Sequence, residues 1–288
     1  MLVPIMFAET KAHMTTMPTP VQKALEEPFA LTDEQIQFFR QNGFIKLKDV
    51  LDADTIRYMD ETITAEVKRL NTQHLPMEER DTYGKAFLQI MNIWIKSEPV
   101  KEIVFSKRLA RIATELLGVD GVRLYHDQAL YKEPGGGHTP WHADQYYWPL
   151  ATDKTVTVWI PLQKTPFEWG PLEFSSQSHN LTAGRNLKIS DESQQMLEDT
   201  LAKEGYEHVV EPFELGEVSF HMGWLFHRAG PNKSGQMRKV MTVIYMDKDM
   251  KLKEPSNENQ QLDWDTWCPG AEVGKLIDTP INPVLYQN

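Results

Sequence analysis

His142 and Asp144 stand two apart in Pro140-Trp141-His142-Ala143-Asp144-Gln145. On an extended strand, residues i and i+2 project from one face, so an imidazole and a carboxylate would share a surface. A second imidazole from a distant strand would complete two nitrogen donors and one carboxylate on one side of a metal ion. That donor set, with the other positions open, is the facial triad that holds non-haem iron(II). His227, in Leu225-Phe226-His227-Arg228-Ala229-Gly230-Pro231-Asn232, is the candidate for the third position. Alone, a His-x-Asp pair fits a surface strand with two polar residues better than a metal site, so context decides.

Arg238 supplies context. It opens Arg238-Lys239-Val240-Met241-Thr242-Val243-Ile244-Tyr245, which alternates well enough to be a strand. A guanidinium aimed into an apolar barrel suits a dicarboxylate, because it binds a carboxylate through two parallel N–H donors. Without the upstream histidine it would read as a surface arginine.

The elements that must position these groups change character along the chain. Residues 1–30 carry four prolines and no clear period, which predicts a loosely held lead-in. From Leu31 a single catalytic domain is expected to run to residue 288. Its helical support spans 31–120, its β core about 121–248, and a C-terminal lid or packing segment 249–288. Thr32 and Gln35 form a capping box for a short helix closed at Gly43, followed by a strand over Phe44–Leu51. Helices are expected from Asp52 to about Leu70 and from Val100 to Leu117, with a polar loop over Asn71–Tyr83. Strands follow over Val122–Lys132, Thr155–Gln163, Leu172–Ser176, Glu217–Met222, Trp224–His227 and Met237–Met246, with an inserted helix from Ser190 to about Glu204. Short strands with Gly/Pro turns imply a sandwich or a closed double sheet.

The balance of 30 Lys+Arg against 41 Asp+Glu, net −11, would repel phosphate backbones and anionic lipid, so nucleic acid and membrane surfaces are not expected partners. Cys268 is the single cysteine, which fits a reducing compartment. No run approaches the about 20 apolar residues of a membrane span, and the apolar start is short and lacks preceding basic residues. A soluble cytoplasmic protein is expected; the oligomeric state cannot be read.

Taken in order, His142-x-Asp144-Gln145, Trp159 in Val156-Thr157-Val158-Trp159-Ile160-Pro161-Leu162, Gly170-Pro171-Leu172 leading to Ser178-His179, His227 in His-x-x-Gly-Pro-Asn, and Arg238 resemble the phytanoyl-CoA dioxygenase family of iron(II)/2-oxoglutarate-dependent oxygenases. The resemblance runs from about Leu31 to about Asp247. It implies a mainly β fold with flanking helices, built on a double-stranded β-helix, a jelly roll of cupin type. It implies Fe(II) held by His142, Asp144 and His227, with 2-oxoglutarate and O2 as co-substrates and Arg238 on the far carboxylate of 2-oxoglutarate. Trp159, Gln128 and His179 match positions near that co-substrate. Gln89 and Asn92 are looser candidates, with buried, backbone-bonded amides as the alternative.

The implied reaction is hydroxylation of a small-molecule metabolite with release of succinate and CO2. A carboxylate at Asp144 favours hydroxylation over halogenation, since related halogenases have Gly or Ala there. The family often has a small hydroxyl residue shortly after the distal histidine. Here Arg228 and Ala229 stand in those places, so Thr157 or Thr242 is expected to supply the hydrogen bond. Trp141, Tyr146, Tyr147 and Trp148 flank the metal motif as a substrate wall or as packing. Of the other histidines, His13 and His74 sit in polar stretches and are set aside, and His208, between Glu207 and Val209, has no partner in the sequence. Pro140 bars a helix that would align His138 with His142 for zinc. His221 reads as pocket-lining, and His126 as outward-facing. Two rivals remain: a cupin-type metal enzyme that does not use 2-oxoglutarate, and a non-catalytic binding protein on the same barrel.

Overall fold

The computed structural model describes residues 16–288; His13 lies outside them. The helices before the β core are α1 (Thr19–Glu26), α2 (Asp33–Asn42), α3 (Ala53–Leu70), α4 (Thr82–Ala86), α5 (Glu98–Val104) and α6 (Lys107–Leu117), with strands β1 (Phe44–Leu47) and β2 (Leu88–Met91) between them. Thr32 caps α2 as expected, its hydroxyl accepting from Gln35 N while the Gln35 side chain accepts from Thr32 N. The described part of the lead-in, residues 16–30, is tighter than the prolines suggested. Pro18 is the N-cap of α1 and Pro20 lies in its first turn, where a missing N–H costs nothing. Val21 and Leu25 are buried, and Ser106 Oγ donates to Leu25 O at 2.8 Å. Likewise, the expected loop over Asn71–Tyr83 holds a one-turn 3-10 helix and the start of α4.

The β core contains β3 (Gly121–Lys132), β4 (Thr139–His142), β5 (Thr155–Pro161), β6 (Leu172–Ser175), β7 (His208–Val210), β8 (Val218–Met222), β9 (His227–Ala229), β10 (Arg238–Asp247) and β11 (Val284–Gln287), with α7 (Asp191–Lys203) inserted after β6 and α8 (Glu258–Trp267) near the C-terminus. The strands form two antiparallel sheets. The larger runs β1-β8-β5-β10-β3-β11 with β2 also on β3; the smaller runs β4-β9-β6-β7. Facing sheets of this kind make the jelly-roll sandwich.

Helices α3, α5 and α6 cover the outer face of the larger sheet in one apolar cluster that includes Ile56, Ile103, Ile112, Val158 and Val243. Helix α7 covers the smaller sheet, with Leu197 and Leu201 against Trp141 and Phe226. Between the sheets lie Leu130, Trp159, Leu172, Phe174 and Val240. The C-terminal segment does two things. Strand β11 extends the larger sheet beside β3, and α8 packs beside the turn at Asp144–Tyr147, with Gln260 Nε2 donating to Tyr146 O at 3.0 Å. No helix among the described residues is long and apolar enough to cross a membrane.

Candidate metal centre and cavity

Strand β4 ends at His142 and β9 begins at His227, and antiparallel register sets these two residues directly opposite each other. Eighty-five positions of chain separate them, yet their rings lie 4.2 Å apart between centroids. Asp144 is not on the strand, as the i, i+2 spacing had suggested; it opens a 3-10 turn. Ala143 between them is still extended, at φ −121 and ψ 126, so the alternation that puts both side chains on one face survives the end of the strand. One ligand atom from each of His142, Asp144 and His227 lies within 4.8 Å of the others. Asp144 Oδ1 is 3.5 Å from His142 Nε2 and 3.6 Å from His227 Nε2.

Both histidines are oriented in the same way. His142 Nδ1 lies 2.8 Å from Pro140 O and His227 Nδ1 lies 3.0 Å from Leu225 O. A carbonyl can only accept, so Nδ1 carries the proton in each ring and the Nε2 lone pair points to the shared centre. Burial, with His142 beside it, holds His227 well below the ordinary histidine range, which keeps it neutral. Burial pushes the Asp144 carboxyl up, but the imidazoles of His227, His142 and His221 outweigh it and hold the group well below its usual range. Two neutral imidazole nitrogens and a carboxylate, open on one side, fit iron(II).

His221 on β8 is a third imidazole at this centre. Its Nε2 is 3.5 Å from Asp144 Oδ2 and its ring is 4.4 Å from that of His227. Both of its nitrogens are buried without a hydrogen-bond partner among the described residues. Thr157, opposite His221 in the β5–β8 register, donates from Oγ1 to the same Asp144 oxygen at 3.2 Å. The carboxylate is therefore divided. Oδ1 faces the two ligand histidines, while Oδ2 is turned to Thr157 and His221.

Arg238 is the largest fully buried side chain. Nη1 donates to Gly170 O at 2.6 Å, and Nε has no partner among the described residues. The guanidinium lies 5.5 Å from the Trp159 ring and 5.6 Å from that of Phe87. Burial pulls its pKa down to about 9. Gly170 is required there: its φ is +68, and a Cβ would stand 2.2 Å from Gly230 O. Lys132 sits opposite Arg238 in the β3–β10 register, and the sequence reading missed it. It is fully buried, and Nζ donates to Gly137 O at 2.6 Å and Gly230 O at 2.9 Å. Burial and the neighbouring Arg238 hold it well below the ordinary lysine range. A buried base without a carboxylate partner is costly, and an incoming anion would relieve that cost.

One cavity of about 650 Å³ joins these features. Its wall includes His142, Asp144, His227, His221 and Arg238, and also Trp159, Gln128, Gln89, Thr157 and Thr242. Gln128 is held by Gln89 Nε2, which donates to its Oε1 at 2.5 Å. Arg228 and Ala229 line the wall too, with Arg228 Nε donating to Glu173 at 2.8 Å. His179 does not belong to the wall. A 3-10 turn after β6 carries it outward against Gly43, at the end of α2. His126 reverses the other way. It is buried and lines the cavity, because it shares the inner face of β3 with Gln128 and Leu130. Asn92 is off the wall, buried with its backbone N donating to Asp127 O at 2.9 Å. Tyr147 and Trp148 line the cavity, whereas Trp141 packs under α7 and Tyr146 beneath α8. From α8 come Asn259, Leu262, Asp263, Thr266 and Trp267.

Residues 39–240 match the phytanoyl-CoA dioxygenase (PhyH) family. The chain is 20% identical over 235 residues to a probable alpha-ketoglutarate-dependent hypophosphite dioxygenase of Stutzerimonas stutzeri, covering 75% of this chain and 79% of that one. It is 26% identical over 221 residues to a methylphosphonate hydroxylase of Gimesia maris, covering 75% and 80%. Among solved structures, the non-heme alpha-ketoglutarate-dependent carbocyclase SnoK from nogalamycin biosynthesis superposes with a TM-score of 0.72 at 22% identity, covering 90% of this chain and 99% of that one. EctD from S. alaskensis, with 2-oxoglutarate and 5-hydroxyectoine, superposes with a TM-score of 0.64 at 21% identity, covering 80% and 82%.

Proposed function

The chain belongs to the phytanoyl-CoA dioxygenase family, and from that premise we propose how its residues divide the work of an iron(II)/2-oxoglutarate-dependent dioxygenase acting on a small molecule. The observation that carries the reading is a shared cavity. The cluster of His142, Asp144 and His227 opens on the same space as a buried arginine with no acidic partner among the described residues.

His142, Asp144 and His227 would hold iron(II) on one face. Bound there with 2-oxoglutarate and O2, the metal supplies oxidation of a C–H bond to an alcohol, with release of succinate and CO2. The protein contributes placement and dryness. The Nδ1 hydrogen bonds to Pro140 O and Leu225 O keep both imidazoles turned to the centre. Thr157 and His221 restrain the second oxygen of Asp144. Arg238 receives the far carboxylate of 2-oxoglutarate as a fork, between the walls of Phe87 and Trp159. In that enclosed setting the ion pair is worth more than it would be in water. Gln128 and Thr242 stand on the same wall, where they orient the co-substrate. The organic substrate enters at the other end, beneath α8.

A cupin enzyme that does not use 2-oxoglutarate has no need of Arg238, and a binding protein has no need of an intact ligand set. The test is succinate formation. Purified protein with Fe(II), 2-oxoglutarate and air should release succinate in excess over a basal level when the right small molecule is added. The Asp144→Ala variant should release none. Substrate-dependent turnover of a small molecule without 2-oxoglutarate consumption would move the protein to the first rival.

A further inference from the structure

The end of the cavity beneath α8 has a charge pattern of its own. Asp263 lines it and accepts from Tyr125 Oη at 3.0 Å through Oδ2, while Oδ1 takes no hydrogen bond from any described residue. No lysine or arginine pairs with this carboxyl among the described residues, and burial pushes it up to about 7, so a cation beside it would favour the ionised form. Trp267, Tyr147 and Trp148 stand around it on the same wall. His126, buried at 4% exposure, lies 5.2 Å from the Trp267 ring, and its Nδ1 has no partner. Burial pulls the His126 imidazole down to about 4, so it is a neutral donor or acceptor at this wall and not a cation.

The basic groups of the cavity are already committed elsewhere or lie at its edge. Arg238 closes the opposite end, Arg228 is tied to Glu173 and Glu198, and Lys188 is exposed at the rim. An anionic substrate would therefore meet a carboxylate with no free buried cation nearby.

We propose that this end binds a compact organic cation. Its ammonium group is held by the Asp263 carboxylate, and its apolar body rests on Trp267, Tyr147 and Trp148. The inference rests on the dioxygenase reading for the identity of the other end of the cavity. An ammonium beside a carboxylate and over indole faces gains both a charge-assisted hydrogen bond and cation–π attraction. The net −11 of the chain favours its approach.

Three phenyl-bearing probes of similar size test it: the cation of benzylamine, the neutral benzyl alcohol and the anion benzoate. Each is titrated into air-free protein loaded with Fe(II) and 2-oxoglutarate, and the visible charge-transfer band is recorded. Appearance of the band before any probe is added reports the dioxygenase reading by itself. Benzylamine should then perturb the band at millimolar concentration, at least tenfold more tightly than either of the other two probes. In Asp263→Asn the band should form normally while benzylamine binding weakens tenfold or more. An intact band with equal responses to the three probes, a preference for benzoate, or no response to benzylamine overturns the proposal and leaves the dioxygenase reading standing. The selectivity of the unmodified protein decides the matter even if the variant does not fold.

Discussion

The two ends of the cavity are built differently. At the Arg238 end every group stands on a strand of the larger sheet or on the loop beside it. Arg238 and Thr242 come from β10, Gln128 and Lys132 from β3 and Trp159 from β5, and Arg238 and Lys132 are fully buried. At the other end, His126 on β3 apart, the groups stand on α8 and on the turn after β4, and Leu262 is 65% exposed at the rim. Strands paired on both sides hold side chains within narrow limits, whereas a single helix laid over a mouth can change its residues without disturbing the sheet. On the proposed reading, the co-substrate chemistry is placed on the scaffold and selectivity on the cover.

The strongest test of this division removes the centre that both ends serve. Asp144→Ala should lower hydroxylation at least about a thousandfold, measured as substrate-dependent succinate release, and should lower Fe(II) retention on a desalting column. Next is Arg238→Met, which should raise the KM for 2-oxoglutarate about a hundredfold. It should leave the melting temperature without co-substrate the same or higher, since it removes a buried charge that lacks a partner. A loss of stability without a change in KM would make Arg238 a structural group. His221→Gln should weaken Fe(II) binding about 10- to 100-fold, read by air-free metal titration, and unchanged affinity in that variant would remove His221 from the support of Asp144.

The last prediction concerns stability and not the site, and falls on Asp127, between His126 and Gln128 on β3. It points away from the cavity and accepts from Ile93 N at 3.1 Å. Burial pushes its carboxyl up to about 7, against about 3.9 in an unfolded chain. Between those values the folded chain keeps a proton that the unfolded chain has released. Its contribution is therefore present at low pH and lost as pH rises from about 4 to about 7, by up to about 1.4 kcal/mol per unit. Urea unfolding of Asp127→Asn should show the variant gaining on the unmodified protein across that window, and a constant difference would contradict the assignment.

The same division explains what could be read without a structure. His142-x-Asp144 was legible because alternation of side chains survives the end of β4. Arg238 was legible only through its place eleven residues after His227, at the start of an apolar strand. Trp159 and Gln128 came from the family resemblance, and both line the cavity. The meeting of His142 with His227 was not legible in spacing, because the β4–β9 register is set by the fold and not by local sequence. His126 was assigned to the wrong face because nothing in Tyr125-His126-Asp127 says which side of β3 is lined by the cavity. His179 was misplaced because one 3-10 turn is enough to swing a side chain out of the wall. Lys132 looked like an ordinary strand end, and α8 gave only the general signal of a tail with two tryptophans.

The measurement that bears most directly on the account is the visible spectrum of the protein without air, after Fe(II) and then 2-oxoglutarate are added. A weak charge-transfer band should appear with the second addition, be absent in His142→Ala, and require far more 2-oxoglutarate in Arg238→Met. If no band forms at millimolar 2-oxoglutarate in a protein shown to hold iron, the centre and the arginine do not serve one co-substrate, and the account of this cavity is wrong.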